Sequence, residues 1–310
     1  DQVLHQLMNY RFQDHYLEGA SLGNLLLAAL TDIHGGKFDQ AIASISDILN
    51  IRGQVLPATL DQAELCAVLT DGTTVVAEEN VRSPNKSAPI DHVFLDNASV
   101  TAYPAAVAAI EAADIILISP GGFYTSIITT LLVPGDERIS IKDAIARATG
   151  AVVYISNVAT QHGQSDGYTL PQTLRILAEY LGDDVVDYVI ANNARPPTLP
   201  FQHGETLLLP TREMEMAERP ILVQGRAFND MSAFDVEWKK VPMIKHNGEM
   251  VLSMLYRIIE KEMEGGMTER TKTQYMQLPS RGGRGSASLQ PRSPMCQEAK
   301  KSHERRAEAH

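Results

Sequence analysis

The sequence has few of the residues on which small extracellular domains and metal sites depend. Its 310 residues include only two cysteines, Cys66 and Cys296. Two thiols so far apart form no disulfide framework and lack the paired spacing of a zinc site, which favours a reducing compartment. The nine histidines show no metal-ligand spacing either. We therefore expect two reduced cysteines and no metal held by protein ligands alone.

Long apolar runs and several familiar motifs are also absent. No stretch approaches the roughly 20 apolar residues that a membrane span requires, and no signal peptide is visible. The chain lacks the Walker A lysine pattern, the Gly-x-Ser-x-Gly elbow and the dinucleotide Gly-x-Gly-x-x-Gly. These absences disfavour a nicotinamide dehydrogenase. They predict a cytoplasmic protein with no membrane span.

Positive charge is scarce in most of the chain. Residues 1–265 carry 18 Lys and Arg against 34 Asp and Glu, whereas residues 266–310 carry nine Lys and Arg against four Glu. An acidic body is a poor fit to a nucleic-acid backbone, so we expect no nucleic-acid partner. The polar, Gly/Ser/Pro/Arg-rich end predicts a disordered basic tail over 266–310, after one folded domain over 1–265.

What the folded part contains is an alternation of apolar strands and helices. The runs DIILISP, AVVYISN and VVDYVIANN are continuously apolar, and amphipathic helical patterns separate them. Continuous apolar strands are typical of a parallel sheet covered on both faces. We therefore predict an α/β fold with a doubly wound, mostly parallel, Rossmann-like sheet. The pair Asp71-Gly72 between two alternating strands adds a β-hairpin insertion.

In such sheets ligands bind outside the carboxyl ends of the strands. The first loop of interest, SPGGFYTS, follows the strand DIILI and opens a helix. Its glycines and helix-start amides could face an anion, with hydroxyl groups adding donors. A glycine turn with a simple helix cap explains the same residues, and both interpretations stay open. The candidates are Ser119, Gly121, Gly122, Tyr124, Thr125 and Ser126.

Two further loops carry candidate binding residues. The second loop, SNVATQHGQSDGYT, could read a sugar or a base through hydrogen bonds, while Asp166 or Thr169 caps the helix that begins near Tyr168. The third, GASLGNLL, could approach a ligand closely or simply pack as a capped helix start. The candidates are Asn157, Thr160, Gln161, Asp166 and Tyr168 in the second loop, and Ser21, Gly23 and Asn24 in the third.

Four ordered motifs, SLGN, RGQVLPAT, SPGGFYTSI and SNVATQHGQSDGYT, resemble the bacterial YvcK or gluconeogenesis factor family and its relative CofD, the 2-phospho-L-lactate transferase. The family pattern resembles Gly-Pro-Gly-Ser-Leu-Tyr-Thr-Ser and Cys-Asn-Val-Met-Thr-Gln-Pro-Gly-Glu-Thr at the first and second loops. Among the departures, Gly122 stands where that pattern has Ser. Lys245 stands where a later motif has Arg. By this resemblance, residues 1–265 form a CofD-like nucleotide-binding domain without the family's amino-terminal glycine-rich segment, and the sheet edge and apolar helices that this segment would cover are exposed.

The resemblance implies two hypotheses of different classes. In the first, the protein is a regulator that binds a UDP-sugar or another nucleotide and adjusts carbon metabolism, cell-wall precursor supply and cell shape. In the second, it moves a 2-phospho-L-lactyl group from a guanylyl carrier to a deazaflavin acceptor. Mg²⁺ would then bridge phosphate oxygens, with Asp166 as the candidate acid/base, and Lys245 would contact phosphate in either case. An inactive fragment, and a homo-oligomer, are left open by the sequence.

Overall fold

The computed structural model describes residues 2–13, 16–135, 140–197, 201, 203–218, 220–228, 232–236 and 239–264. The sequence expectation of a disordered tail falls on residues 266–310, which lie outside the described residues. The helices are α1 (Gln2–Met8), α2 (Leu22–Ile33), α3 (Phe38–Ile48), α4 (Glu78–Arg82), α5 (Pro104–Glu111), α6 (Thr129–Leu131), α7 (Ile141–Arg147), α8 (Leu170–Leu181), α9 (Arg212–Met216) and α10 (Gly248–Glu264). The strands are β1 (Leu65–Leu69), β2 (Thr74–Val76), β3 (Ile90–Leu95), β4 (Ile115–Ile118), β5 (Ala151–Ile155), β6 (Tyr188–Asn192), β7 (Ile221–Gly225), β8 (Ser232–Val236) and β9 (Lys239–Met243).

A parallel sheet in the order β4-β5-β6-β7 forms the centre of the fold. Alternate residues of β5 and β6 face opposite sides, because side chains on a strand alternate with a period of two. Val152 and Tyr154 join the larger core with α7 and α8, whereas Val153 and Ile155 pack against Met254 and the rest of α10. Both faces are therefore covered, as the continuous apolar runs predict, and the α/β fold class is confirmed.

A second, antiparallel sheet in the order β2-β1-β3 packs beside this core. The hairpin between β1 and β2 turns at Asp71-Gly72, and Gly72 has φ of 84°, in the left-handed region that favours glycine. Asp71 accepts a hydrogen bond from Thr73 N at 2.9 Å across the turn. The predicted hairpin is confirmed. Residues of β8 and β9 form a further two-stranded antiparallel sheet.

Several local features differ from the sequence expectations. The predicted helix after the first loop begins as a π-helix, Phe123–Ile128, and continues as α6. The helix expected near Tyr168 begins at Leu170, where Thr169 and Gln172 form a reciprocal capping box. Cys66 is fully buried in a disulfide bond whose partner lies outside the described residues, so the expectation of two reduced cysteines is wrong. The cysteines therefore give no support for a reducing compartment.

The amino-terminal helices leave much apolar surface exposed. No residue of α2 is buried, although Leu25, Leu26 and Leu27 follow one another in its sequence. In the described part of the chain, β4 lies at the edge of the parallel sheet, and its Leu117 is 42% exposed. Within the described ranges, no helix is long and apolar enough to cross a membrane.

The close packing around Gly150, which directly precedes β5, predicts that a larger residue there lowers stability. A Cβ on this residue would lie 2.1 Å from Ala113 O and 2.6 Å from Asp114 O, and backbone atoms cannot yield as a flexible side chain can. We expect Gly150→Ala to lower the free energy of unfolding by about 2–3 kcal/mol in a urea titration. Gly248→Ala is the matched control, since nothing lies within 4 Å of its added Cβ. It should change stability by about 1 kcal/mol or less, and equal losses in both variants would contradict the steric explanation.

Candidate functional site

The loops that follow the four parallel strands lie together at one edge of the molecule. Because carboxyl ends of parallel strands meet at the same sheet edge, the segments after β4, β5, β6 and β7 must be neighbours there. The first loop follows Ile118, and the second follows Ile155. The structure therefore brings together two of the three loops that the sequence singled out.

Asn157 joins the first loop to the second. Its Oδ1 accepts from Gly121 N at 3.2 Å, and its Nδ2 donates to Gly121 O at 2.9 Å. One side-chain amide thus satisfies both backbone groups of a glycine in a segment without regular structure. A buried backbone group without a partner is costly, so this pair sets where the first loop lies. Asn157 is a candidate whose observed contact is with the protein itself.

Gln164, which sequence reasoning missed, makes a second connection between these loops. Its Oε1 accepts from Tyr124 N and from Thr125 N, each at 3.2 Å. Together with Gly121 N, three amides that the sequence expected to face an anion already have protein acceptors. Among the described residues, no acceptor is found for the amides of Gly122 and Phe123. An anion at this loop would meet those two amides.

Glycine at position 122 leaves room for the side chains that make these contacts. A Cβ there would lie 2.3 Å from Thr125 Oγ1 and 3.2 Å from Gln164 Nε2. At Gly121 an added Cβ would lie 3.2 Å from Ser126 Cβ. Both glycines therefore fit the turn interpretation, while the exposed Ser119 and Ser126 remain at the surface of the loop.

The second loop is held in place from both sides. Thr160 N donates to Thr206 O and Thr206 N to Thr160 Oγ1, both at 2.8 Å. The ammonium group of Lys86 donates to the carbonyl groups of Val81, Ser83 and Gly163. Burial lowers the pKa of Lys86, and the negative charge of Asp166 opposes that shift. The loop is thus ordered by groups that lie far apart in the sequence.

Asp166 closes a turn within the second loop. Its Oδ1 lies 2.8 Å from His162 Nδ1, and its Oδ2 accepts from Gly163 N at 2.7 Å. His162 stacks on His203 with ring centroids 4.8 Å apart. Within the described residues, no group of three His, Cys, Asp or Glu side chains could hold a metal ion. Because both Asp166 oxygens already have partners, these residues do not fit a preformed Mg²⁺ site.

Tyr124 and Tyr168 belong to the core side of these loops. Tyr124 is 1% exposed, and its hydroxyl oxygen lies 2.8 Å from that of Tyr168. Burial raises the pKa of both phenols above the ordinary value, so both stay neutral near pH 7. The apolar spacing of the helix gave a signal for this placement.

The ends of β6 and β7 complete the edge with residues that the sequence candidates did not include. Asn192, 1% exposed, accepts from Ala227 N at 3.2 Å and donates to Ala194 O at 2.7 Å. His246 Nε2 lies 2.9 Å from Ser156 O, so Nε2 carries the hydrogen, because a carbonyl only accepts. Neither pairing has a local sequence signal.

Two cations lie at this end of the sheet. Arg226 directly follows β7, is exposed, and places its guanidinium carbon 4.9 Å from the centroid of the Phe228 ring. Lys245, a sequence candidate, is half-buried beside His246 in the chain. Guanidinium and ammonium groups are suited to phosphate and carboxylate ligands. The sheet edge therefore has two basic side chains, Arg226 and Lys245, near one end. Near the other end it has two backbone amides, of Gly122 and Phe123, without an acceptor among the described residues.

The third loop serves helix packing in the structure. Ser21 Oγ accepts from Asn24 N at 3.2 Å and caps α2. A Cβ on Gly23 would lie 3.0 Å from Met8 O, so this glycine allows α2 to approach the end of α1 closely. Among the described residues, no hydrogen bond links Ser21, Gly23 or Asn24 to the first two loops. Their role in ligand binding stays a prediction.

These features define an α/β protein whose parallel sheet is covered by helices on both faces. Its candidate ligand-binding site lies at the carboxyl ends of the strands. The family model described as 2-phospho-L-lactate transferase CofD matches residues 1–213. The chain belongs to this CofD family. Its resemblance to the gluconeogenesis factor, or YvcK, proteins is confirmed by curated relatives with that name.

The chain is similar to members of this family both in sequence and in structure. The gluconeogenesis factor of Halalkalibacterium halodurans is 40% identical over 191 residues, which are 61% of this chain and 57% of that protein. That of Bacillus subtilis is 36% identical over 196 residues, 63% of this chain and 59% of that protein. The chain thus spans less than two thirds of the length of these relatives. A crystal structure of a UPF0052 family member from Bacillus halodurans is similar with a TM-score of 0.69 and 31% identity, covering 82% of this chain and 79% of that one.

The Asn157 contact predicts a loss of stability on truncation. Asn157→Ala removes the acceptor for Gly121 N and the donor for Gly121 O, so we expect the free energy of unfolding to fall by about 1–3 kcal/mol. Chemical denaturation followed by circular dichroism measures the change. Asn193→Ala is the control, since the exposed Asn193 bonds, within the described part of the chain, only through its backbone to Gly225 O. A control loss as large as that of Asn157→Ala would show that the paired amide has no special role.

The His246 contact predicts a pH dependence. Burial lowers the pKa of His246 below 6.5, and the weaker opposing effect is the bond to Ser156 O. The unfolded chain therefore binds the proton more readily, so the stability that comes from neutral His246 is present above pH 6.5 and is lost on acidification. His246→Gln keeps a neutral donor without this titration. Its melting temperature should fall less than that of the unchanged protein between pH 7.5 and 5.5, and equal slopes would refute the assignment.

Proposed function

We propose that the protein is a YvcK-like regulator that binds a nucleotide-sugar, with a UDP-sugar as the expected ligand, along the carboxyl edge of its parallel sheet. The observation that carries this proposal is the joining of the first two loops by Asn157 and Gln164 at that edge. Loops that are already ordered lose little conformational entropy when a ligand binds. The edge also offers neutral donors and acceptors for a sugar or base, among them the half-buried Gln161.

The dimensions and charges of the edge support an extended ligand with an anionic centre. Neighbouring strands lie about 4.8 Å apart, so β4 and β7 are separated by about 14 Å at the sheet edge. The amides of Gly122 and Phe123 lie at the β4 end, and Arg226 follows β7. A nucleotide-sugar has phosphates between two hydrogen-bonding rings, which suits an edge with donors along its length.

The contacts of Asp166, the candidate acid/base, favour a regulatory role over catalysis. Asp166 uses both carboxylate oxygens within its own loop, with His162 and Gly163 as partners. A general base must reach the proton that it removes, and Asp166 would first have to give up these contacts. On this proposal a cytoplasmic protein, alone or as a homo-oligomer, reports the level of a cell-wall precursor and thereby links carbon metabolism to cell shape.

A transferase of the CofD type is the alternative, favoured by the description of the matching family model. In that case a 2-phospho-L-lactyl group would move from a guanylyl carrier to a deazaflavin alcohol. Asp166 would need to turn away from His162 to act on the acceptor hydroxyl. Lys245 and Arg226 would then contact phosphate groups of the donor.

Calorimetric titration separates these functions. We expect UDP-N-acetylglucosamine to bind with a measurable heat at micromolar to millimolar concentration, and GDP to bind more weakly. Absence of any heat up to millimolar UDP-N-acetylglucosamine would refute the regulator proposal. Incubation with a deazaflavin acceptor, the activated lactyl donor and Mg²⁺, followed by mass spectrometry, tests the alternative: an acceptor that gains the phospho-lactyl mass would establish the transferase.

A further inference from the structure

Gln164 has a hydrogen-bond donor for which the protein provides no acceptor. The residue is 4% exposed, and its Nε2 is buried without a hydrogen-bond partner among the described residues. The orientation of the amide follows from its neighbours, because Tyr124 N and Thr125 N both need an acceptor and therefore face Oε1. Nε2 then points the other way with two hydrogens to donate. A buried donor without an acceptor costs about 1–3 kcal/mol, so such a group calls for an explanation.

The position of this donor relates it to the first loop. Nε2 lies 3.2 Å from the point that a Cβ on Gly122 would occupy, and Thr125 Oγ1 lies 2.3 Å from that point. The carboxamide and a hydroxyl group thus border the space beside the Gly122 Cα. Two other buried polar atoms lack partners in the described chain, Thr74 Oγ1 and Tyr154 OH, but both belong to strands rather than to the loop edge.

We infer that the Gln164 carboxamide is a direct contact for an oxyanion, in the present case a phosphate oxygen of the nucleotide ligand. Its Oε1 keeps the amides of Tyr124 and Thr125, while Nε2 donates to the ligand oxygen beside Gly122. Rotation about χ1 of Thr125, which has more than one staggered position, admits that oxygen and leaves the threonine hydroxyl near it. This assignment rests on the proposed function, and it adds the residue that recognises the phosphate.

The neutral amide matters for this role. A carboxylate at position 164 could accept the same two backbone bonds, but its second oxygen would repel a phosphate instead of donating to it.

Gln164→Glu tests the assignment, because it keeps the acceptor for both backbone amides, removes the donor and adds a negative charge for which a second variant controls. Binding of inorganic pyrophosphate and of UDP-N-acetylglucosamine is measured by calorimetry. A hydrogen bond to a charged group contributes about 1.5–3 kcal/mol, so we expect both affinities to fall tenfold to roughly a hundredfold. Gln172→Glu is the matched control: it adds the same charge after the same strand and keeps its bond to Thr169 N. It should alter neither affinity more than about twofold.

A second variant covers the case in which a carboxylate at position 164 prevents folding, which a thermal melt reveals. Gly122→Ser fills the space beside Gln164 Nε2, with the Thr125 side chain rotating away from the added Cβ; once a thermal melt shows that this variant folds, we expect at least tenfold weaker pyrophosphate binding. In the unchanged protein, the side-chain amide protons of Gln164 should shift in the NMR spectrum on addition of pyrophosphate.

The outcomes distinguish the two proposals. If the protein binds UDP-N-acetylglucosamine and Gln164→Glu binds it equally well, the Gln164 assignment is overturned and the proposed function stands. If pyrophosphate binds and Gln164→Glu abolishes that binding while the nucleotide-sugar gives no heat, the oxyanion contact stands and the nucleotide-sugar proposal fails. If neither compound binds the unchanged protein, both proposals are overturned.

Discussion

The pairing of Asn157 with Gly121 is the contact on which the arrangement of the edge depends. The first loop has no secondary structure in which to satisfy its backbone, and a single amide from the neighbouring strand end satisfies both groups of Gly121. With that glycine fixed, the following turn comes within reach of Gln164, which accepts from Tyr124 N and Thr125 N. The same solution recurs at the end of β6, where Asn192 bonds to Ala194 and Ala227. The edge is thus built by side-chain amides that replace missing backbone partners.

This construction explains which parts of the fold could be predicted from the sequence. The parallel sheet and the turn at Asp71-Gly72 follow from apolar runs and from backbone preferences, which are local properties. The cap of α8 is also local, since Thr169 and Gln172 lie three residues apart. Contacts such as Asn157 with Gly121 and Gln164 with Tyr124 span 36 and 40 residues. No periodicity records them, because they exist only after the sheet brings two strand ends together.

Contacts between distant residues also explain why some candidate residues have a role in the structure that differs from the one expected from the sequence. The sequence predicts Gly121 and Gly122 as contacts for an anion, whereas the structure relates them to Ser126, Thr125 and Gln164, which occupy the space a Cβ would fill. A sequence motif identifies a position but does not show which neighbouring residue limits the side chain that can stand there. Gln164 lies within the second-loop motif and His246 directly follows Lys245, but both act through residues distant in the chain, which the motifs do not show.

The loops at the sheet edge are held by neutral amide side chains and not by carboxylates, and this affects the electrostatic potential at the edge. Residues 1–265 hold 34 acidic side chains against 18 basic ones, so an anionic ligand approaches an unfavourable average field. Aspartate or glutamate in place of Asn157, Gln164 and Asn192 could accept many of the same backbone bonds, but each would add a negative charge at the edge. Neutral amides hold the loops without that charge, and Arg226 and Lys245 supply positive charge near the ends of later strands. An acidic protein can therefore keep a local surface that is suited to phosphate.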